Sequence, residues 1–103
     1  MKKIINRQVF DTDKSELIAE MCKNWNRRDF NYCYEAIHRS KKGTFFLVGE
    51  GGALSKYATH CGNRLDWGEE CRILSKEEVL DLLEQWDRPE VILAIFPDDI
   101  HEG

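Results

Sequence analysis

Nowhere does the sequence sustain the roughly 18 apolar residues that a membrane-crossing helix requires. Met1-Lys2-Lys3 leads into Ile4-Ile5-Asn6-Arg7 instead of the apolar core of a secretory leader. The expectation is an intracellular protein with no membrane contact. Cys22, Cys33, Cys61 and Cys71 include no Cys-x-x-Cys knuckle, and in a reducing compartment they point to free thiols or metal-bound thiolates in place of disulfides. Internal repeats and low-complexity segments are missing too. Basic residues are nearly missing from the C-terminal quarter: residues 77–103 hold one Lys/Arg against nine Asp/Glu, whereas residues 1–44 hold ten against six. That quarter is unsuited to wrapping a phosphate backbone, which argues against direct nucleic-acid binding there. It reads as a solvated face or as a surface for a basic partner.

What is present is enough for one core. The chain has 103 residues, of which 42% are hydrophobic and 11% aromatic, too apolar for a disordered chain and too short for two cores. A single domain over residues 1–103 is expected. The run Thr44-Phe45-Phe46-Leu47-Val48, rich in aromatic and β-branched residues and bounded by Gly43 and Gly49, reads as the central strand, with Gly49-Glu50-Gly51-Gly52 as its exit loop.

The flanking segments supply its partners. Lys3-Ile4-Ile5 and Gln8-Val9-Phe10 read as a small hairpin across Asn6-Arg7. Asp13 and Glu16 have capping spacing, and Leu17, Ile18, Met21, Cys22 and Trp25 recur at helical spacing, which predicts a helix over Asp13 to Asn24. After a connection at Asn26 to Asn31, the segment Tyr32 to Arg39 fits either a helical face or a strand. The strand is preferred because the central strand otherwise lacks a hairpin partner. Leu54 to Thr59 reads as one helical turn or an ordered loop, residues 60–70 as a long connection, and Glu70 to Leu74 as a strand. Ser75-Lys76-Glu77-Glu78 is a capping box by letter and spacing. It opens a helix to Asp87 with Val79, Leu80, Leu82, Leu83 and Trp86 inside and Glu77, Asp81, Glu84 and Arg88 as the outer row. Pro89 starts a short C-terminal helix and Pro97 closes it. The fold class expected is α+β: a small antiparallel sheet packed by two amphipathic helices plus a short C-terminal helix.

Few residues carry a chemical signature. The glycines at 49, 51 and 52 resemble a phosphate cradle, but there is no Gly-Lys-Ser/Thr closure, and Glu50 repels an anion. His60, Cys61 and Cys71 are of zinc-ligating type and lie in the long connection, which would benefit from a tether, although their spacing matches no zinc motif. Cys33 and His38, five residues apart, fall on opposite faces of a strand and make no nucleophile-base pair. No catalytic residue is expected. Tyr57 and Trp67, among the loop-flanking aromatics Trp25, Phe30, Tyr32, Tyr57 and Trp67, are candidate partner anchors, with closure of a small core as the simpler role.

Phe10-Asp11-Thr12, Arg28-Asp29-Phe30, Ser55-Lys56-Tyr57, Leu74-Ser75-Lys76-Glu77-Glu78, and above all Lys41-Lys42-Gly43-Thr44-Phe45-Phe46-Leu47 running into Gly49-Glu50-Gly51-Gly52 resemble small proteins of phages and integrative elements of Gram-positive bacteria. The likeness spans most of the chain, and its motifs are structural in character. It implies a setting in the cytoplasm of a host bacterium, where small acidic anti-CRISPR proteins that lack enzyme motifs are found. The expectation drawn is a non-enzymatic inhibitor of a CRISPR effector nuclease, contacting it through Glu77, Asp81, Glu84, Asp98 and Asp99 with Tyr57 and Trp67. The alternative is a zinc-stapled interaction module without a defence role.

Overall fold

A computed structural model describes all residues, Met1–Gly103. Its centre is a four-stranded antiparallel sheet in the order β3-β4-β5-β8, formed by β3 (Glu16–Lys23), β4 (Cys33–Arg39), β5 (Phe45–Gly51) and β8 (Gly68–Ile73). Each face of the sheet has its own cover. On one face, Ala19, Ile37 and Leu47 meet Val79 and Leu83 of helix α1 (Lys76–Gln85), Trp86 at its C-cap and Ile92 of helix α2 (Pro89–Ile95). On the other, Ala36, Phe46, Val48 and Cys71 meet Phe10 of the hairpin β1-β2 (Lys2–Ile5, Gln8–Asp11). The mixed, mostly antiparallel architecture with two helices agrees with the α+β expectation.

Local signals explain several elements. Asn6 and Arg7 take φ of 52° and 65°, the positive pair that a two-residue hairpin turn demands. Ser75 accepts the N–H of Glu78 while Glu78 accepts the N–H of Ser75, so the expected capping box is formed. The backbone N–H of Ser75 is the main influence holding the Glu78 carboxyl below its ordinary range, with Arg72 adding to it. Arg88 does not join the outer row of α1. It turns back, donating to the Trp86 carbonyl at 2.8 Å and to the Glu20 carbonyl at 3.1 Å, and so ties the helix end to β3.

The helix expected over Asp13 to Asn24 is instead strand β3. Asp11 accepts from the N–H of Asp13 at 3.0 Å, but this closes only one 3-10 turn, Thr12–Lys14. Glu16 extends away to Arg39, 2.6 Å from its Nη2. The deciding influence is tertiary. Strand β4 has two edges of backbone donors and acceptors, β5 satisfies one, and β3 satisfies the other. A bulge between Leu17 and Ala19 lets Ile18, Ala19 and Met21 all reach the helix-side core, so a bulged strand meets the spacing read as helical. Trp25 lies beyond the strand and is exposed.

Two further expectations are corrected. Gly49-Glu50-Gly51 is not an exit loop but the end of β5, paired with β4 and β8. The connection over residues 60–70 contains a hairpin, β6 (Thr59–Cys61) with β7 (Arg64–Asp66), whose turn places Gly62 at φ 65°. Leu54 to Ala58 is an ordered loop that ends where β6 begins at Thr59, and all four cysteines are free thiols.

Candidate functional site

Helix α1 presents Glu77, Asp81 and Glu84 to solvent on the side away from Val79 and Leu83, and none of the three is in an ion pair. Asp98 is exposed as well. Asp99 differs, because Lys76 Nζ lies 2.8 Å from its carboxylate, and that hydrogen bond raises the Lys76 pKa. Asp99 is thus already neutralised within the chain.

Tyr57 is not a surface anchor. Its hydroxyl donates to Glu35 Oε2 at 2.6 Å, Lys56 Nζ lies 2.9 Å from Glu35 Oε1, and Glu35 is only 2% exposed. Burial, reinforced by the Glu35 carboxylate, pushes the Tyr57 phenol far above its ordinary pKa, so it remains a donor. The arrangement clamps the 52–58 loop onto the helix-side face of the sheet, with the Tyr57 ring filling the space a side chain on Gly49 would need. Glu35 carries no motif. Its only sequence signal is a carboxylate between Cys33 and Ile37 in the inward row of an apolar strand.

Trp67 is half-buried and sits on the hairpin side of the sheet. Its ring stacks on Tyr32 at 5.6 Å between centroids and 11° between planes, and the Arg27 guanidinium lies 5.1 Å above it. Glu50 accepts from the Tyr32 hydroxyl at 3.1 Å and pairs with Arg27 at 3.4 Å. Burial and the Glu50 hydrogen bond push the Tyr32 phenol up to about 12. Glu50 and Glu69 face each other across β5 and β8 and line an open pocket of about 370 Å³ with Asp13, Tyr34 and His38. Arg27 and Glu50 lie 23 residues apart in the chain. The link is a strand register, which no local motif reveals.

The zinc-type residues are not gathered. His60 and Cys61 are exposed on β6, Cys71 is buried beneath the N-terminal hairpin, and no group of three or more His, Cys, Asp or Glu has metal-holding geometry. Burial also raises the Cys71 and Cys33 thiol pKa values, which keeps both protonated and weak as ligands or nucleophiles. The glycines do not form an anion nest either: Gly51 and Gly52 bring the backbone against the Tyr32 and Phe30 carbonyls.

One serine-histidine contact stands apart. Ser15 Oγ lies 2.8 Å from His38 Nδ1 and 3.2 Å from the Thr12 carbonyl, and the imidazole stacks on Phe46 at 5.4 Å. No carboxylate is hydrogen-bonded to the ring to orient it, so the pair lacks the third member of a nucleophilic triad. Burial lowers the His38 pKa, with Glu20 acting weakly in the opposite sense. The unfolded chain then binds the extra proton first, near pH 6.5. Stability is full above that value and falls as pH drops toward the lower folded pKa, by about 1.4 kcal/mol for each unit separating the two. Urea titrations between pH 7.5 and 5 are expected to show this decline, and His38→Asn should flatten it. An unchanged slope in the variant would remove His38 as the cause.

No protein-family model matches the chain, and no curated protein or solved structure shows significant similarity to it.

Proposed function

We propose that the domain is a non-enzymatic inhibitor that binds a CRISPR effector nuclease and blocks its loading with nucleic acid or its cleavage step. The observation that carries the reading is the outer row of α1: Glu77, Asp81 and Glu84 are exposed and unpaired on a helix whose opposite side is locked into the core. Three carboxylates at these positions span about 10 Å of helix at 1.5 Å per residue, close to the axial rise covered by four successive phosphates of one duplex strand at about 3.4 Å each. A rigid carboxylate row of that kind suits a basic nucleic-acid channel. Identification of the channel as that of a CRISPR effector comes from the mobile-element resemblance. No helix of the chain is long and apolar enough to cross a membrane.

The test is a pull-down from host lysate followed by an interference assay with the recovered partner. Reversing Glu77, Asp81 and Glu84 to lysine together is expected to weaken binding at least about tenfold at low salt, an effect that shrinks as added salt screens exposed charge. The melting temperature should hardly move, because all three face solvent. Recovery of no nuclease, with interference untouched across effector types, would sink the proposal.

A further inference from the structure

We infer that Trp67, Tyr32 and Glu50 form a cradle for an arginine side chain of a partner protein, and that the free domain fills this cradle with its own Arg27. The inference rests on the reading of the domain as a protein-binding module but not on which protein it binds. The parts of a guanidinium site are all present. Trp67 gives a flat face backed by Tyr32, and Glu50 is a carboxylate held in place by the Tyr32 hydroxyl. A guanidinium is already seated there, over the ring and paired with Glu50. A planar cation that both stacks and donates two hydrogen bonds matches this better than a lysine ammonium does.

Arg27 does not act as the tether of its loop. Residues 24–32 are ordered by other contacts: Asn24 Oδ1 accepts the Asn26 N–H, Asn26 Oδ1 accepts the Arg28 N–H, and Asp29 Oδ1 accepts the Asn31 N–H. The N–H groups of Gly52 and Leu54 fasten the loop's end through the Tyr32 and Phe30 carbonyls. The Arg27 side chain is itself 66% exposed and, besides lying over Trp67, makes one long polar contact of 3.4 Å, so its removal leaves the loop standing. The charge of the site also suits a guanidinium, whether Arg27 or the one that replaces it. Glu50 and Glu69 are cross-strand neighbours, yet Arg27 is the one cation paired with either, and Glu69 receives only the Trp67 indole N–H at 3.4 Å. Like charges directly opposed on a sheet repel, and an incoming cation relieves this. The adjoining pocket leaves room for the rest of the arriving side chain.

The experiment is a titration of the ¹⁵N-labelled domain with the capped tripeptide Gly-Arg-Gly, with Gly-Lys-Gly as the second arm, following the backbone amide resonances of Glu50 and Glu69, which every variant retains, and the Trp67 indole where it is present. Arg27→Ala, which empties the cradle, is expected to bind the arginine peptide about fivefold more tightly than the wild type. Trp67→Ala should abolish the response, and Glu50→Gln, which keeps the shape, should weaken it. The lysine peptide should bind more weakly in every case. The inference is overturned if Arg27→Ala gains no affinity, if the lysine peptide binds as well, or if the shifts map to α1. These outcomes are separate from the nuclease pull-down: a cradle that binds the peptide while no nuclease is recovered leaves the cradle intact and removes only the target.

Discussion

Gly68→Ala is expected to lower the unfolding free energy by about 3 kcal/mol, at the upper end of the usual cost of overpacking. Gly68 opens β8, and a Cβ there would run into the backbone carbonyl of Tyr57. A long side chain could swing aside, but a carbonyl moves only with its chain. Its chain here is the 52–58 loop, held by Tyr57 on Glu35 and by the Gly52 and Leu54 N–H groups. The clash must therefore lift the loop or bend the sheet edge. Gly62→Ala is the control. At φ 65° it is strained, but nothing lies within 4 Å of its Cβ. Its cost is limited to about 1–2 kcal/mol of left-handed strain in a peripheral hairpin. Urea unfolding of the two variants measures the difference, and equal midpoints would contradict the close approach of the loop to β8.

Legibility followed how local each signal was. The β1-β2 turn, the Ser75 capping box, the apolar side of α1 and the Pro89 helix start are set by neighbouring residues, and all four lie where the sequence predicts them. β3 was not legible, because Leu17, Ile18, Met21 and Cys22 satisfy a helix as well as a bulged strand, and the choice belongs to the unpaired edge of β4. The same holds for the candidate sites. The carboxylate row of α1 follows directly from helical period. The cradle needs Arg27 from a loop, Tyr32 before β4, Glu50 from β5 and Trp67 before β8 to converge, and only the register Gly51↔Gly68 and Cys33↔Gly51 brings these ends together. Tyr57 shows the converse. Its place after Ser-Lys in a glycine-rich loop allows a partner anchor or closure of the core, and the choice falls to a carboxylate 22 residues earlier in the chain.

Tyr57→Phe is expected to destabilise the domain by about 2 kcal/mol, the scale for losing a hydrogen bond to a buried charge. The Glu35 carboxylate is 2% exposed and has two partners, the Tyr57 hydroxyl and the Lys56 ammonium. The two should not count equally. Lys56 is 61% exposed, so water screens its attraction, and Lys56→Met should cost less than about 1 kcal/mol. The phenol is the partner that water cannot replace without opening the loop. Pairing Glu35→Leu with Tyr57→Phe removes charge and donor together and is expected to recover most of the loss, as apolar replacements of buried polar pairs often do. Chemical denaturation of the single and paired variants gives the coupling directly. A neutral Tyr57→Phe would mean that water already reaches the carboxylate. The clamp also bears on binding. Gly49 lies under the Tyr57 ring, and the next residue, Glu50, points to the opposite face and carries the carboxylate of the cradle. Loosening the loop in Tyr57→Phe should therefore free Glu50 to move as well, and the variant should bind the arginine peptide more weakly although Tyr57 does not touch the cradle.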